Sequence, residues 1–366
     1  MRRVLTIPMV CCLGILMTAC SSQAFSGSMP SGLSSRAIVS SLHGRRSTVP
    51  RSDASIGQNL YVANNRDNSI TVYGPGEKKA MREISQSVSR PTNLAFDKLG
   101  NLYVVNCGSA CRTGTSVSVY GPGRTSVLRT ISEGIDWPNG LAFDGSGSLY
   151  VTNVLSNTVT VYAAGSANLL RTISQGISAP TNLSFDSAGN LFVVNNGGNT
   201  VTVYAPGSGK VLRTISKGLA DPEDLAFDSR GNLYVSNASP YVKGTVTVYR
   251  PGSNNVQRTI SEGLTQPAKL LLDGSDNLYV ADFAGDHVMV YARNTTQPLR
   301  AITEGVSRPT AMAFDLSGYL YVANCAKLCA GASKHSSVTV YAPGSGVVIR
   351  EIRQGMRAPF GLAFGP

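Results

Sequence analysis

Pro180-Thr-Asn-Leu-Ser-Phe-Asp186, Gly189-Asn-Leu-Phe-Val-Val-Asn195, Thr200-Val-Thr-Val-Tyr204 and Leu212-Arg-Thr-Ile215 follow one another with little more than Gly, Asn, Ser and Pro between them. Each segment is short, β-branched or aromatic, and bounded by turn formers, which predicts four strands, A to D, joined by tight turns. Both faces of strands B and C are apolar or aromatic. Such a sheet must be covered on both sides, so one unit cannot stand alone.

The unit recurs. Strand B returns at Leu60, Leu102, Leu149, Leu191, Leu233, Leu278 and Leu320, spaced 42, 47, 42, 42, 45 and 42 residues apart. A tyrosine ends strand C at Tyr73, Tyr120, Tyr162, Tyr204, Tyr249, Tyr291 and Tyr341. Seven copies at this period predict an all-β, seven-bladed β-propeller with four-stranded blades. Strand A recurs at Leu94, Leu141, Leu183, Leu225, Leu270, Met312 and Leu362, and nothing comparable precedes Leu60. The first blade must therefore take its strand A from the C-terminal residues 361–364, which closes the ring and leaves no long unpaired edge. Tyr150-Val-Thr-Asn153, with Tyr61-Val-Ala-Asn64 and Tyr321-Val-Ala-Asn324 as variants, resembles the YVTN and NHL-type repeats of bacterial and archaeal surface propellers. The resemblance covers 57–366 and implies this fold; it leaves function open, because such propellers serve many.

Ahead of the repeats, Met1-Arg-Arg3 is basic, Val4 to Met17 is apolar, and Leu16-Met-Thr-Ala-Cys20 ends the run with small residues before a cysteine. This predicts an export signal over 1–19, since the run falls short of the ~20 residues that span a bilayer. The segment resembles a bacterial lipoprotein signal, with Met17 where that family usually has Leu. The resemblance implies acylation of Cys20, membrane contact through that lipid anchor, and outer-membrane or cell-surface sorting from Ser21. Residues 20–56, rich in Ser, Gly, Arg and Pro, read as a flexible tether to the propeller at 57–366. Removing 1–19 lowers the formal charge from +11 to +9. Export argues against nucleic acid as the partner of this basic chain, and no aromatic-rich basic motif speaks for it. The body is expected to be a monomer.

Length varies in one connection only. From the strand-C tyrosine to the next proline is 18 residues in all seven units, whereas strand B to that tyrosine takes 9, 14, 9, 9, 12, 9 and 17. Insertions confined to one loop mark a binding face. By resemblance to other propellers, B-to-C and D-to-A loops share the face where the channel opens, so the insertions at 107–115, 238–245 and 325–336 would surround it. Two carry Cys-x3-Cys, Cys107 with Cys111 and Cys325 with Cys329. In an exported protein these read as two local disulfides, the alternative being a zinc site.

The residues flanking the repeated prolines are the binding candidates: Arg90, Thr92, Trp137, Asn139, Thr181, Asp221, Glu223 and Arg308. Trp137, the only tryptophan, could plate a sugar or peptide ring beside Asn139, Arg90 and Arg308, or simply pack. Pro138-Asn-Gly140 resembles a metal-ligand segment of gluconolactonase-like propellers of the senescence-marker family, which implies a calcium- or zinc-dependent lactonase or hydrolase at Asn139 and Glu223. Most of that family's pattern is missing, and a hard cation wants more oxygen ligands than one carboxylate level offers. The expectation is therefore a non-enzymatic, cofactor-free propeller that binds an envelope protein, peptide or glycan. The Asn or Asp ending strand B and the Asp after strand A are read as turn caps, and the strand-D arginines as an edge charge or an anion-attracting girdle.

Overall fold

The computed structural model describes residues 58–109, 111–326 and 336–366. Its 28 elements are all strands, arranged as seven four-stranded antiparallel sheets. The inner strands, in ring order from blade 2, are Pro91–Phe96, Pro138–Phe143, Pro180–Phe185, Pro222–Phe227, Pro267–Leu272 and Pro309–Phe314. Blade 4 shows the pattern in full: Pro180–Phe185, Leu191–Asn195, Thr200–Tyr204 and Val211–Ile215, paired in that order. The seven-bladed β-propeller expected from the repeat is the fold.

Closure occurs where the sequence requires it. Pro359–Gly365 pairs antiparallel with Asn59–Asn64, from Asn59 opposite Gly365 to Asn64 opposite Pro359. Leu362 is 1% exposed within a cluster that joins Leu60, Val62 and Tyr73 of blade 1 to Ala313, Tyr321, Val338 and Val340 of blade 7. The Tyr61 hydroxyl adds a 2.5 Å hydrogen bond to the Pro366 carbonyl.

Each seam between neighbouring blades is an apolar layer of this kind, built from side chains of the two facing sheets. Strand B is buried along its whole length in every blade from the second on. Six seams carry an edge-to-face aromatic pair, such as Tyr150 with Phe185 at 5.0 Å, and at the blade 5–6 seam Leu272 stands where the others have Phe.

Polar staples reinforce the layers. All seven strand-C tyrosines are 0% exposed, and each hydroxyl reaches the backbone of the preceding blade's outgoing turn. Tyr120 donates to Gln86 O, Tyr162 to Glu133 O, Tyr204 to Gln175 O, Tyr249 to Lys217 O and Tyr291 to Glu262 O, all at 2.5 Å; Tyr341 donates to Glu304 O at 2.6 Å, and Tyr73 to Gln354 O. Every accepting residue lies five positions before a repeated proline, which explains the invariant tyrosine-to-proline spacing. Desolvation raises these phenols, with Tyr120, Tyr162 and Tyr341 pushed up to about 12.

The strand-D arginines are not a free girdle. Arg82, Arg171, Arg258, Arg300 and Arg350 fold over the ring of their own blade's strand-B tyrosine and donate to its hydroxyl, at 2.6 Å for Arg82 and Tyr61. Guanidinium stacks on an aromatic face while its stem covers apolar surface, so much of this charge is used in packing.

Candidate functional site

The turn caps expected at the end of strand B create the channel mouth. Asn195 Oδ1 accepts the Ser178 N–H at 3.1 Å from the incoming D-to-A turn, and its amide donates to Thr202 Oγ1 at 3.1 Å on strand C. Asn64, Asn106, Asn153, Asn237 and Asn324 repeat both contacts. Next to them, the carbonyls of Arg90, Trp137, Asp221 and Arg308 accept the N–H of Cys107, Val154, Ala238 and Cys325. B-to-C and D-to-A turns are therefore hydrogen-bonded to one another on one face, as expected. The Asp97-type residues cap the A-to-B turns; Asp273 takes Ser275 N and Asn277 N at 2.9 Å, and Asp276 reaches Ser229 of blade 5.

Blade 6 departs from this scheme coherently. Asp282 replaces the asparagine and cannot donate, and Met289 occupies the strand-C position of the hydroxyl. Asp282 instead accepts Gln266 N at 2.7 Å and lies 3.5 Å from His287 Nε2, which also contacts Gly263 O at 2.9 Å. Hydrogen bonding to Asp282 raises the His287 pKa, and although burial pushes Asp282 up, its bonds from His287, Gln266 and Thr265 bring it below the usual value.

Six residues just before the prolines hold a left-handed backbone, including Arg90 (φ 46°), Trp137 (φ 53°), Asp221 (φ 46°) and Arg308 (φ 46°). Non-glycine residues rarely adopt it, and here flanking turns hold it in place. Asn68 Oδ1 takes the Arg90 N–H at 2.7 Å, Asn199 the Asp221 N–H at 2.6 Å, and Asp286 the Arg308 N–H at 2.7 Å. Because the same conformation recurs at Ala179 and Ala358, it belongs to the repeat and not to any one ligand. Its effect is to set four half-buried side chains of three chemistries, Arg90, Trp137, Asp221 and Arg308, around the mouth.

Those four come from different blades. Arg90 and Trp137 lead into adjacent blades 2 and 3, but Arg308 leads into blade 7, with blade 1 between it and Arg90, and its guanidinium sits 5.5 Å over Phe283. A single plate of Trp137, Arg90 and Arg308 is not what the ring provides. Deeper in, Thr181 and Asn139 are 3% and 4% exposed and tie blades together: Thr181 Oγ1 donates to Glu223 O at 3.1 Å, and Asn139 O accepts from Asn93 at 3.3 Å. The buried Thr92 hydroxyl has no partner among the described residues.

Glu223 and Asp224 form the charged part of the channel wall. Asp224, fully buried, takes hydrogen bonds from Asn182 Nδ2 and, at 2.9 Å, Leu270 N, and pairs with Lys269 Nζ at 3.9 Å. Glu223 is 7% exposed; Oε1 accepts from Asn196 Nδ2 at 3.3 Å, and Oε2 has no partner among the described residues. Burial holds its pKa well above the usual carboxylate range; Lys269 opposes that rise, and Asp221 and Asp224 add to it.

The donor set does not fit a divalent cation. Asn139 and Glu223 stand two blades apart, an ammonium lies near the carboxylates, and no three His, Cys, Asp or Glu residues gather among the described ones. Pro138-Asn-Gly140 has a packing reason instead. A Cβ on Gly140 would lie 2.9 Å from Asn182 Oδ1 and 3.1 Å from Thr181 O, so glycine lets blades 3 and 4 approach.

Of the insertions, 107–115 contains the bonded pair Cys107 and Cys111, with Cα atoms 4.4 Å apart. Cys325 is fully buried beside Ala358 and Phe360, while Cys329 lies outside the described residues, as does Cys20. The insertion at 238–245 places Tyr241 and Val242 on the surface, 77% and 57% exposed, a pair the sequence reading passed over. It also passed over Lys269, whose signal was a reversal of charge between blades 5 and 6 at one strand-A position.

No protein-family model matches the sequence, and no curated protein resembles it closely enough to be matched. Solved structures do resemble the fold. Hydrazine synthase of Kuenenia stuttgartiensis superposes with a TM-score of 0.65 at 17% identity, over 83% of this chain and 99% of that one. The computationally designed protein Ika8 gives 0.62 at 18%, over 85% and 89%. A protein of unknown function from Desulfotomaculum acetoxidans gives 0.68 at 12%, over 84% and 99%. At such identities the likeness is one of architecture: the chain is a seven-bladed β-propeller.

Proposed function

We propose that this is an exported lipoprotein, held at the bacterial outer membrane or cell surface by an acylated Cys20, whose propeller captures an envelope protein, peptide or glycan on the insertion-bearing face. The observation that carries the binding part is the confinement of variation. Inserted length occurs only in B-to-C loops, and the half-buried side chains that differ most from blade to blade, Arg90, Trp137, Asp221 and Arg308, ring the same mouth. A scaffold stapled this regularly has no structural need for such differences. The export and anchoring parts rest on the sequence of residues 1–20.

The test is to shorten 107–115 and 238–245 to the turn length of blades 1, 3, 4 and 6 and to measure retention of envelope extract on the immobilised body. Retention should vanish while the melting temperature stays near that of the parent. Unchanged retention would refute the reading.

A further inference from the structure

The surface opposite the mouth is not uniform. With B-to-C and D-to-A turns bonded together on one face, every A-to-B and C-to-D turn lies on the other, the base of the disk. Four A-to-B turns have small or polar tips, Gly145-Ser146, Ser187-Ala188, Ser229-Arg230 and Gly274-Ser275, but blade 2 has Lys98-Leu99 and blade 7 has Leu316-Ser317. Leu99 is 78% exposed and Leu316 76%. The blade 7 C-to-D turn adds Val347, 62% exposed, at a position held in the other six blades by Lys79, Ser126, Asn168, Lys210, Asn255 and Gln297. Among the described residues no other large apolar side chain stands exposed in a turn of the base. The exposed apolar residues of strand D, such as Leu128, Leu170 and Leu212, recur around the ring and favour no direction.

Blades 7 and 2 flank blade 1, where the propeller chain begins and ends, and contacts join the three sectors. Beside Leu99, a Cβ on Gly100 would lie 3.0 Å from the Pro366 ring and 3.5 Å from that of Pro122. On the other flank Tyr319, in the turn that bears Leu316, packs against the apolar cluster shared by blades 7 and 1, as do Ala80 and Phe364. Gln58, the 74–77 turn, Tyr321 and Arg350 line one cavity between them. Pro343, in the turn that bears Val347, comes within 3.5 Å of a Cβ on Gly318. In the base turns of these three blades the exposed charges are Lys78, Lys79, Lys98 and Arg124 against Glu77. Asp97 and Asp315 are drawn into their own turns, accepting from Leu99 N and Asn101 N and from Ser317 N and Tyr319 N at 2.9 Å.

Apolar tips among long cationic side chains suit a surface that is anionic at its skin and hydrocarbon beneath. Accepting the lipid-anchored reading, we infer that the base of blades 7, 1 and 2 rests on an anionic bilayer, with Leu99, Leu316 and Val347 in the interface and Lys78, Lys79, Lys98 and Arg124 among the headgroups. Where the chain enters argues for lipid as the occupant. Residues 20–56 precede Gln58, at the centre of this patch, and a flexible chain of that length reaches only about 35 Å from its anchor. A disk held so close meets the membrane at an effective concentration on the order of millimolar, so even a weak face would dock.

Trp137, the only tryptophan, makes fluorescence a direct test. The full-length protein is mixed with vesicles of equal parts phosphatidylethanolamine and phosphatidylglycerol, with and without bromine on the acyl chains. Leu99→Trp, Leu316→Trp and Val347→Trp, each combined with Trp137→Phe, report on the base; the parent Trp137 and Leu155→Trp with Trp137→Phe report on the mouth. Brominated lipid should quench the base probes about twofold or more and leave the mouth probes nearly unchanged. Leu99→Ser with Leu316→Ser, both at exposed turn tips, should cut the quenching at position 347 severalfold. Equal quenching at base and mouth, none at the base, or undiminished quenching at 347 in the serine variant would overturn the inference. So would a base-to-base dimer in sedimentation without quenching, which would assign the patch to a second copy of the chain. The mass of the purified protein reads acylation of Cys20 separately. If Cys20 is acylated while the base probes stay bright, the anchor stands and the docking face falls; if Cys20 is bare and the base probes are still quenched, the docking face stands and the anchor falls.

Discussion

Raising the pH should unfold this propeller in a single step driven by its tyrosines. The seven strand-C tyrosines are fully buried hydrogen-bond donors, and an ionised phenol can neither donate to the neighbouring blade's carbonyl nor stay in the apolar seam. Tyr120, Tyr162 and Tyr341 hold their protons to about 12 in the native state. An unfolded phenol gives its proton up near 10, so between those values the unfolded chain binds fewer protons and stability falls as pH rises. Two pH units correspond to about 2.7 kcal/mol for each group, and to about 8 kcal/mol for the three together, comparable with the whole stability of an ordinary domain at roughly 5–15 kcal/mol. Burial also raises the other four strand-C tyrosines, and Tyr61, Tyr103, Tyr150, Tyr234 and Tyr279. Phenolate absorbance followed with far-ultraviolet circular dichroism should show a small early titration, then an abrupt release coincident with loss of sheet. Smooth titration of all 15 tyrosines around pH 10, with the sheet signal intact, would refute the account.

Other perturbations test other links. Leu362→Ala in the closing strand should cost about 2–5 kcal/mol in denaturant unfolding, the range for a fully buried leucine, and removal of 361–366 should abolish the cooperative transition. Gly140→Ala should lower the melting temperature measurably, because its new methyl meets the Thr181 carbonyl and not only a flexible side chain. His287→Thr, the residue type of blades 3, 4 and 5, should destabilise most at acid pH. The raised His287 pKa gives stability that is fully present below its unfolded value near 6.5 and is lost as pH climbs through the folded value, so parent and variant melting curves should converge toward pH 8. A pH-independent difference between them would assign the effect to packing.

The architecture was legible because a propeller writes each blade as a local pattern: one blade's strands, turns and caps fall within about 40 residues, and seven copies reinforce one another. Even the closing strand could be read, as a strand A left over at the end. What stayed hidden were partnerships between blades. Nothing in Glu223-Asp224 announces that Lys269, 45 residues on from Asp224, will neutralise one carboxylate and leave the other short, because that depends on which side chains two inner strands turn toward each other. The arginines misled for a similar reason. An isolated Arg on an outer strand reads as exposed, and only three dimensions reveal the tyrosine beneath Arg82 or Arg258. Gly140 was seen as part of a possible ligand motif when its role is the absence of a side chain.

Head and tail of the propeller share one blade, which puts the two outermost residues of that pairing on one surface. Asn64 reaches the mouth, while Asn59, five residues back at ~3.3 Å each, stands opposite Gly365 at the far surface, where Pro366 lies against Gly100 in an A-to-B turn. Whatever grips the polypeptide ahead of residue 58 thus grips the disk from behind. The mouth lies on the opposite surface from Pro366, so a label fused after Pro366 would leave that aperture clear.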